Sequence, residues 1–128
     1  MKRILIVEDD EVLAHLCKIN LQKNGHVVDV VHDGGLALHK VDAFSPHLII
    51  LDIILPNKNG FDILQEIKKS EKHKDIDVIV YSSLSQQEDI DTFSSMGAVA
   101  SNSKKDVGAH ELAEHVHLHI NKKQKIIS

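Results

Sequence analysis

Three carboxylates in this 128-residue chain stand where apolar runs end. Glu8 and Asp9 follow Ile4–Val7, and Asp52 follows Leu48–Leu51 in the stretch LIILDIILPNKNG. An unpaired carboxylate among buried apolar side chains is costly, so a counter-charge is expected nearby. If the three carboxylates lie close together they repel one another, and a hard divalent cation such as Mg²⁺ relieves that repulsion. A carboxylate beside such a metal can act as a nucleophile and form an aspartyl phosphate.

A hydroxyl and an ammonium group follow two further apolar runs. Ser82 comes directly after the fourth run, and Lys104 lies three residues beyond Ser101. Both groups could contact a phosphoryl group, with the ammonium offsetting its charge. Taken singly, Ser82 is more often a turn or N-cap residue and Lys104 a solvated charge, while Glu8 and Asp9 could equally be helix-capping acids. The hypothesis of a phosphoryl site therefore depends on the agreement of all four strand ends.

Short apolar runs alternate with segments of helical period along the chain. Apolar residues that recur every three or four positions indicate the helices, and Gly or Pro follows several of them. The predicted strands are Arg3–Val7, Val27–Val31, Leu48–Leu51, Asp77–Tyr81 and Val99–Ser101; the predicted helices are Glu11–Asn24, Leu36–Phe44, a segment after Gly60 with Phe61, Leu64 and Ile67 in phase, Glu88–Met96 and Ala109–Asn121. Strands so rich in Val, Ile and Leu are buried on both faces, which indicates a parallel sheet covered by helices.

This alternation predicts an α/β fold, namely a doubly wound, flavodoxin-like sheet of five parallel strands in the order 2-1-3-4-5 with five helices. In such sheets ligands bind beyond the carboxyl ends of the strands. The topology should therefore bring Glu8, Asp9, Asp52, Ser82 and Lys104 to one edge.

The composition is that of one globular domain, with 42% hydrophobic and 27% charged residues. The net charge of −4 shows no basic excess, so direct binding to nucleic acid is not expected. Lys122, Lys123 and Lys125 are expected to form a solvated tail. No run is apolar enough for a signal sequence or a membrane span, and Cys17 has no partner for an internal disulfide. These features predict a cytoplasmic protein without membrane contact.

Four motifs together resemble the receiver domain of a two-component response regulator, of the chemotaxis-Y-like kind. They are ILIVEDDE, LIILDIILPNKNGFDIL, VIVYSS and the position of Lys104, and the resemblance extends from about Arg3 to Ile120. The most specific of them is the pattern D-x-x-L-P-x-x-x-G from Asp52 to Gly60.

The resemblance implies a role for each of these positions. Asp52 matches the phosphoacceptor aspartate. Glu8 and Asp9 match the acidic pair that holds Mg²⁺, Asp9 directly and Glu8 through water. Asp52 and the backbone carbonyl of Ile54 match the other protein ligands of the metal. The protein would then catalyse only its own phosphorylation and slow dephosphorylation.

Three further positions complete the implied site. Ser82 matches the residue whose hydroxyl meets the phosphoryl group, and Lys104 matches the lysine that pairs with a phosphoryl oxygen. Ser83 matches a small residue beside the site, where bulk would block access.

Two positions depart from the family pattern. Ser101 stands where an aromatic side chain often changes rotamer on activation, and Lys105 stands where a proline usually follows the lysine through a cis bond. Because a cis bond before a non-proline residue costs about 2.5–4 kcal/mol, we predict a trans bond and a loop that holds Lys104 differently. Ile54 and Leu84 occupy positions that tune dephosphorylation in the family, and neither side chain can hydrogen-bond an attacking water. This predicts a phosphoryl group that lasts hours rather than seconds.

The resemblance also implies partners. Residues 1–122 are predicted to form the receiver domain and residues 123–128 a tail or the start of a linker, which leaves no room in this sequence for an output domain. We therefore expect a sensor histidine kinase or phosphotransfer protein upstream and a protein effector downstream. That effector would contact the fourth helix, fifth strand and fifth helix. The apolar face of Glu88–Met96 is thin, which suits a loosely anchored element.

Other functions compete with this interpretation. The departures at Ser101 and Lys105 would suit a binding module that needs no phosphorylation. A phosphohydrolase with Asp52 as nucleophile is less favoured, because such enzymes usually carry a second aspartate where Ile54 stands. His115 and His119 are one helical turn apart and could bind a transition metal, but the favoured interpretation is that they flank the apolar stripe of the helix and face solvent.

Overall fold

The computed structural model describes the backbone of residues 1–127 and the side chains of residues 1–123. Five parallel strands form one sheet in the order β2-β1-β3-β4-β5, which confirms the predicted topology. The strands are β1 (Arg3–Val7), β2 (Val27–Val31), β3 (Leu48–Leu51), β4 (Asp77–Ser82) and β5 (Ala100–Ser103); the helices are α1 (Glu11–Lys23), α2 (Gly34–Phe44), α3 (Gly60–Lys69), α4 (Gln87–Ser95) and α5 (Ala109–Ile127).

The register of the sheet aligns the ends of its central strands. Val7 of β1 lies opposite both Val31 of β2 and Leu51 of β3, and Leu51 lies opposite Val80 of β4. The residues that follow Val7 and Leu51 therefore leave the sheet side by side. This is how Glu8 and Asp52, far apart in sequence, become neighbours.

Each face of the sheet is covered by its own layer of helices. Ile4 and Ile6 of β1 belong to the cluster on the side of α1 and α5, whereas Leu5 and Val7 belong to the cluster on the side of α2 and α3. This follows from the two-residue period of a strand, whose side chains alternate between faces. The part of a strand that is buried on both faces must be apolar at every position, which explains the runs ILIV of β1 and LIIL of β3.

α4 is attached more weakly than the other helices. Its one buried residue is Phe93, which packs in a small cluster with Ile53 and Val80. The thin apolar face predicted for this segment is confirmed. Fewer buried apolar contacts mean that less free energy holds α4 against the sheet.

Several element ends differ from the prediction. β5 runs from Ala100 to Ser103 rather than from Val99 to Ser101, so Lys104 follows the strand directly. β5 is an edge strand with half-exposed polar side chains, so no apolar run marks it. β4 includes Ser82.

The ends of two helices also differ. α2 begins at Gly34 with Asp33 as its N-cap, two residues before the predicted Leu36. α5 continues through Ile127, so the predicted domain boundary after residue 122 falls within a helix and stays a prediction. Ser128, the last residue of the predicted tail, lies outside the described residues. None of the helices that the structure describes is long and apolar enough to span a membrane.

Candidate functional site

A buried ion-pair network lies at the carboxyl edge of the sheet. Glu8 and Asp52 are 3% and 4% exposed, so both carboxylates are removed from bulk water. The Lys104 Nζ lies 2.6 Å from Glu8 Oε1 and 2.8 Å from Asp52 Oδ2. The counter-charge expected for Asp52 is therefore Lys104. Its single ammonium group is shared between the carboxylates of Asp52 and Glu8.

A third carboxylate completes the cluster on its solvent side. Glu8, Asp9 and Asp52 each place a carboxylate oxygen within 4.8 Å of the others, and Asp9 is exposed. Among the described residues, no other three potential metal ligands come together in this way. Asp10 stands apart as the N-cap of α1, where its side chain accepts a hydrogen bond from the Leu13 N–H. An all-oxygen, anionic donor set of this kind suits a hard divalent cation.

The backbone after Asp52 folds back onto its carboxylate. The N–H groups of Ile53 and Ile54 donate to Asp52 Oδ1 at 2.7 and 3.4 Å. Because Lys104 takes Oδ2, both oxygens of Asp52 have partners. Ile54 is 56% exposed, and it contacts the carboxylate through its backbone N–H.

Burial and the ion pairs act together on the protonation of Glu8 and Lys104. Burial raises the pKa of Glu8 to about 7; the hydrogen bond from Lys104 opposes this rise, and the negative charge of Asp52 adds to it. Burial alone would lower the pKa of Lys104, but its hydrogen bonds to Asp52 and Glu8 outweigh burial and raise it. Lys104 is therefore charged at neutral pH, while Glu8 is poised between its two forms.

Ser82 connects the strand ends to Lys104. Its side chain is fully buried, and its Oγ accepts a hydrogen bond from the Leu84 N–H at 3.2 Å. Its backbone carbonyl accepts from the Lys104 N–H at 3.0 Å, which ties the residue after β5 to the end of β4. Ser83 is exposed beside it. The hydroxyl proton of Ser82 is not used in its bond with Leu84.

The loop from Asp52 to Gly60 is held by the start of α2, which the sequence analysis did not single out. The Gly34 N–H donates to the Pro56 carbonyl at 3.1 Å, and Asn57 Nδ2 donates to Asp33 Oδ2 at 2.7 Å. A Cβ at Gly34 would overlap the Lys58 carbonyl oxygen. The dipeptide Asp33-Gly34, an N-cap followed by glycine, was the signal available for this contact.

Gly60 explains the last position of the D-x-x-L-P-x-x-x-G pattern. A Cβ there would overlap the Asp52 carbonyl oxygen and lie 2.6 Å from the Ile53 Cα. The N-terminus of α3 can pack this closely on the residues around Asp52 only if the side chain is absent. The spacing between Asp52 and Gly60 is therefore a packing requirement of the loop.

Comparison with known proteins identifies the family. Residues 4–117 match the response regulator receiver domain. The chain belongs to this family. Among curated relatives of this receiver domain, the DNA-binding dual master transcriptional regulator RpaA of Synechocystis is 36% identical over 89 residues, which are 70% of this chain and 37% of that protein. The transcriptional regulatory protein CpxR of Klebsiella pneumoniae is 43% identical over 70 residues, 55% of this chain and 30% of that protein. The receiver thus spans about a third of the length of these relatives.

Solved structures agree with the fold. A CheY-like response regulator receiver domain protein from Methanospirillum hungatei has a TM-score of 0.85 at 26% identity, and the match covers 98% of each chain. The Mn²⁺-bound form of response regulator Rcp1 has a TM-score of 0.78 at 26% identity, with 91% of this chain and 90% of that chain covered.

The two departures of this receiver from its family lie on the segment that carries Lys104. The Lys104–Lys105 peptide bond is trans, as predicted. Ser101 is half-buried and lines a cavity of about 230 Å³ between the β4–α4 loop and β5. The structure adds a residue that the sequence analysis treated only as part of an apolar strand. Tyr81, 3% exposed on β4, donates from its hydroxyl to the Val107 carbonyl at 2.6 Å.

The histidines of α5 do not converge. His115 Nδ1 lies 2.9 Å from Asn102 Oδ1, whereas His119 Nε2 lies 3.1 Å from Asp77 Oδ2. Because each ring contacts a different strand, the geometry gives no support to a shared transition-metal site for His115 and His119.

Proposed function

We propose that this receiver accepts a phosphoryl group on Asp52 from a sensor histidine kinase or a phosphotransfer protein. The observation that carries the proposal is the shared ion pair of Lys104 with Asp52 and Glu8, with the Asp9 carboxylate in the same cluster. In the transfer, a carboxylate oxygen of Asp52 forms an O–P bond while the P–N bond of a phosphohistidine breaks and the imidazole leaves. The domain is a signalling protein that catalyses only this transfer and the slow hydrolysis of the aspartyl phosphate, in which water attacks phosphorus and inorganic phosphate leaves.

Mg²⁺ is the proposed cofactor. Glu8, Asp9 and Asp52, with the carbonyl of Ile54, would hold the ion, and their oxygen donors fit a hard cation. When bound, it offsets the negative charge of the phosphoryl oxygens. The crystal structure of the Mn²⁺-bound form of response regulator Rcp1, which has a similar fold, supports the proposal that this domain binds a divalent cation.

Lys104 and Ser82 would then contact the transferred group. Lys104 already lies 2.8 Å from Asp52 Oδ2, so a small movement of its ammonium brings it to a phosphoryl oxygen. Such fixed charges lower the barrier because they need no reorganisation when charge develops. The proton of the Ser82 hydroxyl, which its bond from Leu84 leaves free, is available to a second phosphoryl oxygen. Exposed Ser83 leaves the approach open.

The signal would leave through the surface of α4, β5 and α5. Phosphorylation adds roughly −1.5 to −2 charges at Asp52. α4, held by one buried phenylalanine, is the element whose position changes most cheaply, so the added charge could shift its population between two states. A downstream protein that prefers one state completes the pathway; this domain itself does not contact nucleic acid or membrane, and it acts in the cytoplasm.

The test is phosphorylation by a small phosphodonor. The protein is incubated with acetyl phosphate or phosphoramidate, with Mg²⁺ or with EDTA, and its mass is measured. We expect one added phosphoryl group that needs the metal and is lost in Asp52→Ala. Asp42→Ala, which removes an exposed carboxylate of α2, is the matched control and should leave the modification intact.

The departures at Ser101 and Lys105 support a second candidate, a receiver-fold module that binds its partner without phosphorylation. No added mass under any condition, with a partner still bound, would favour the module. Multiple-turnover release of phosphate would instead indicate a phosphohydrolase.

A further inference from the structure

Lys104 must be held in place by a turn whose peptide bonds are trans. The turn, residues 103–107, connects β5 to α5. Ser103 closes its first part, because its carbonyl accepts from the Asp106 and Val107 N–H groups at 3.1 and 2.9 Å and its Oγ accepts from the Lys105 N–H at 3.1 Å. These bonds are all local. The Lys104 N–H bond to the Ser82 carbonyl ties the start of the turn to β4, but it does not reach the far end of the turn at Val107.

Tyr81 supplies a contact between the turn and the sheet. Its hydroxyl donates to the Val107 carbonyl at 2.6 Å, across 26 residues of sequence. Its ring centroid lies 5.9 Å from the Lys104 Nζ, within the range of a cation–π contact. The buried Tyr81 side chain therefore contacts both ends of the turn. Its hydroxyl bonds to Val107 at the far end, and its ring lies beside the ammonium group of Lys104 at the near end.

The surroundings of Tyr81 make this contact rigid. The side chain is 3% exposed and packs in the cluster between the sheet and α5. In the sheet, Tyr81 lies opposite Asn102 of β5, two residues before Lys104. Burial raises the pKa of its phenol, so the hydroxyl keeps its proton and remains a donor at neutral pH.

We propose that Tyr81 is a positioning residue for Lys104: its hydroxyl anchors the turn through the Val107 carbonyl and so directs the ammonium group at Asp52. The proposal rests on the proposed function for its effect on phosphorylation, but not for the anchoring itself. It accounts for how this chain orients its lysine with Lys105 in the following position.

The variant Tyr81→Phe tests the inference, because it removes the hydroxyl and keeps the ring. In hydrogen exchange of the metal-free protein, the Asp106 and Val107 amides should exchange at least about threefold faster, as expected for loss of one net hydrogen bond. Ile79→Val, a buried change on the same strand and in the same cluster, is the control for a general loss of stability and should leave these amides unchanged relative to the rest of the sheet. Unchanged exchange of the two amides in Tyr81→Phe would overturn the anchoring.

A double-mutant cycle tests the link to Lys104. With acetyl phosphate and Mg²⁺, Tyr81→Phe should slow phosphorylation roughly three- to tenfold. In a Lys104→Ala background it should have no further effect, because there is no ammonium left to position. An equal slowing in both backgrounds would show that Tyr81 does not act through Lys104 and would overturn the proposal. If the parent protein is not phosphorylated at all, the proposed function fails, and hydrogen exchange still decides the anchoring.

Discussion

Replacement of Gly34 by alanine should damage the loop around Asp52, whereas the same change at Gly35 should not. A Cβ at Gly34 would overlap the Lys58 carbonyl oxygen and lie 2.8 Å from the Lys58 carbonyl carbon and 3.1 Å from the Pro56 oxygen. All three atoms are backbone, so they cannot rotate away as a side chain would. At Gly35 the nearest atoms are Asp33 Oδ1 at 3.1 Å and the Asn57 Cβ at 3.4 Å, both on side chains.

The magnitude follows from overpacking. Forcing a methyl group against fixed atoms costs about 1–3 kcal/mol, which for a domain of this size lowers Tm by about 4–12 °C. At Gly35 the mild crowding is offset by the better helix propensity of alanine, worth about 0.5–1 kcal/mol, so the stability should stay close to that of the parent. Two neighbouring glycines of one helix should thus give clearly different results.

Urea unfolding followed by circular dichroism measures both variants, and calorimetric titration with Mn²⁺ measures the effect on the proposed metal site. Because the loop from Asp52 to Gly60 carries the Ile54 carbonyl, Gly34→Ala should also weaken metal binding. Equal stabilities for Gly34→Ala and Gly35→Ala would refute the contact. If Gly34→Ala were destabilised but bound Mn²⁺ as the parent does, the contact between the start of α2 and the loop would not position the proposed metal ligands.

Three other changes test separate features. Asp33→Ala removes the cap that accepts from the Gly35 N–H at 2.7 Å and should cost about 1–2 kcal/mol in urea unfolding, a loss that an exposed Asp42→Ala change should not show. Burial would raise the pKa of Asp77, but the hydrogen bonds from Lys123 and His119 outweigh burial and lower it. The stability that ionised Asp77 contributes is therefore present above its pKa in the unfolded chain, and it is lost as the pH falls through its pKa in the folded protein. Asp77→Asn should therefore flatten the loss of stability between about pH 5 and pH 2, and an unchanged slope in urea unfolding would contradict this. Ile54→Asn, which adds a group able to bind water, should shorten the lifetime of the phosphoryl group from hours toward minutes in phosphate-release assays; an unchanged lifetime would show that this side chain is not the cause.

The sequence predicts the sheet well because its strands are buried on both faces. From Ile4 to Val7 of β1 and throughout β3 every residue is buried and apolar, so the segments RILIV and LIIL could be recognised as strands with the correct ends. β5 has no such requirement. It is an edge strand with exposed and half-buried residues, so no apolar run marks its ends, and the predicted strand Val99–Ser101 stops two residues before the observed one.

In the site as well, the residues at strand ends could be predicted from the sequence, and the loop contacts that support them could not. The strand ends predict that Asp52, Glu8 and Lys104 meet, because parallel strands finish at a common edge. The contacts that hold the site in place cannot be predicted from strand ends. The contact of Tyr81 with Val107 and that of Gly34 with the Lys58 backbone depend on where two loops fall relative to the sheet, and no periodicity encodes that distance.

The charge balance of the site explains why one lysine does not suffice. Three carboxylates and one ammonium group leave a net charge of −2 when all are ionised, since Lys104 offsets only one of Glu8, Asp9 and Asp52. Burial and the negative charge of Asp52 raise the pKa of Glu8 to about 7, and protonation of this one buried carboxyl would reduce the net charge to −1. A divalent cation offsets the whole excess without a proton. The same edge should therefore favour a cation before the proposed phosphorylation, and the added negative charge of a phosphoryl group would strengthen that preference.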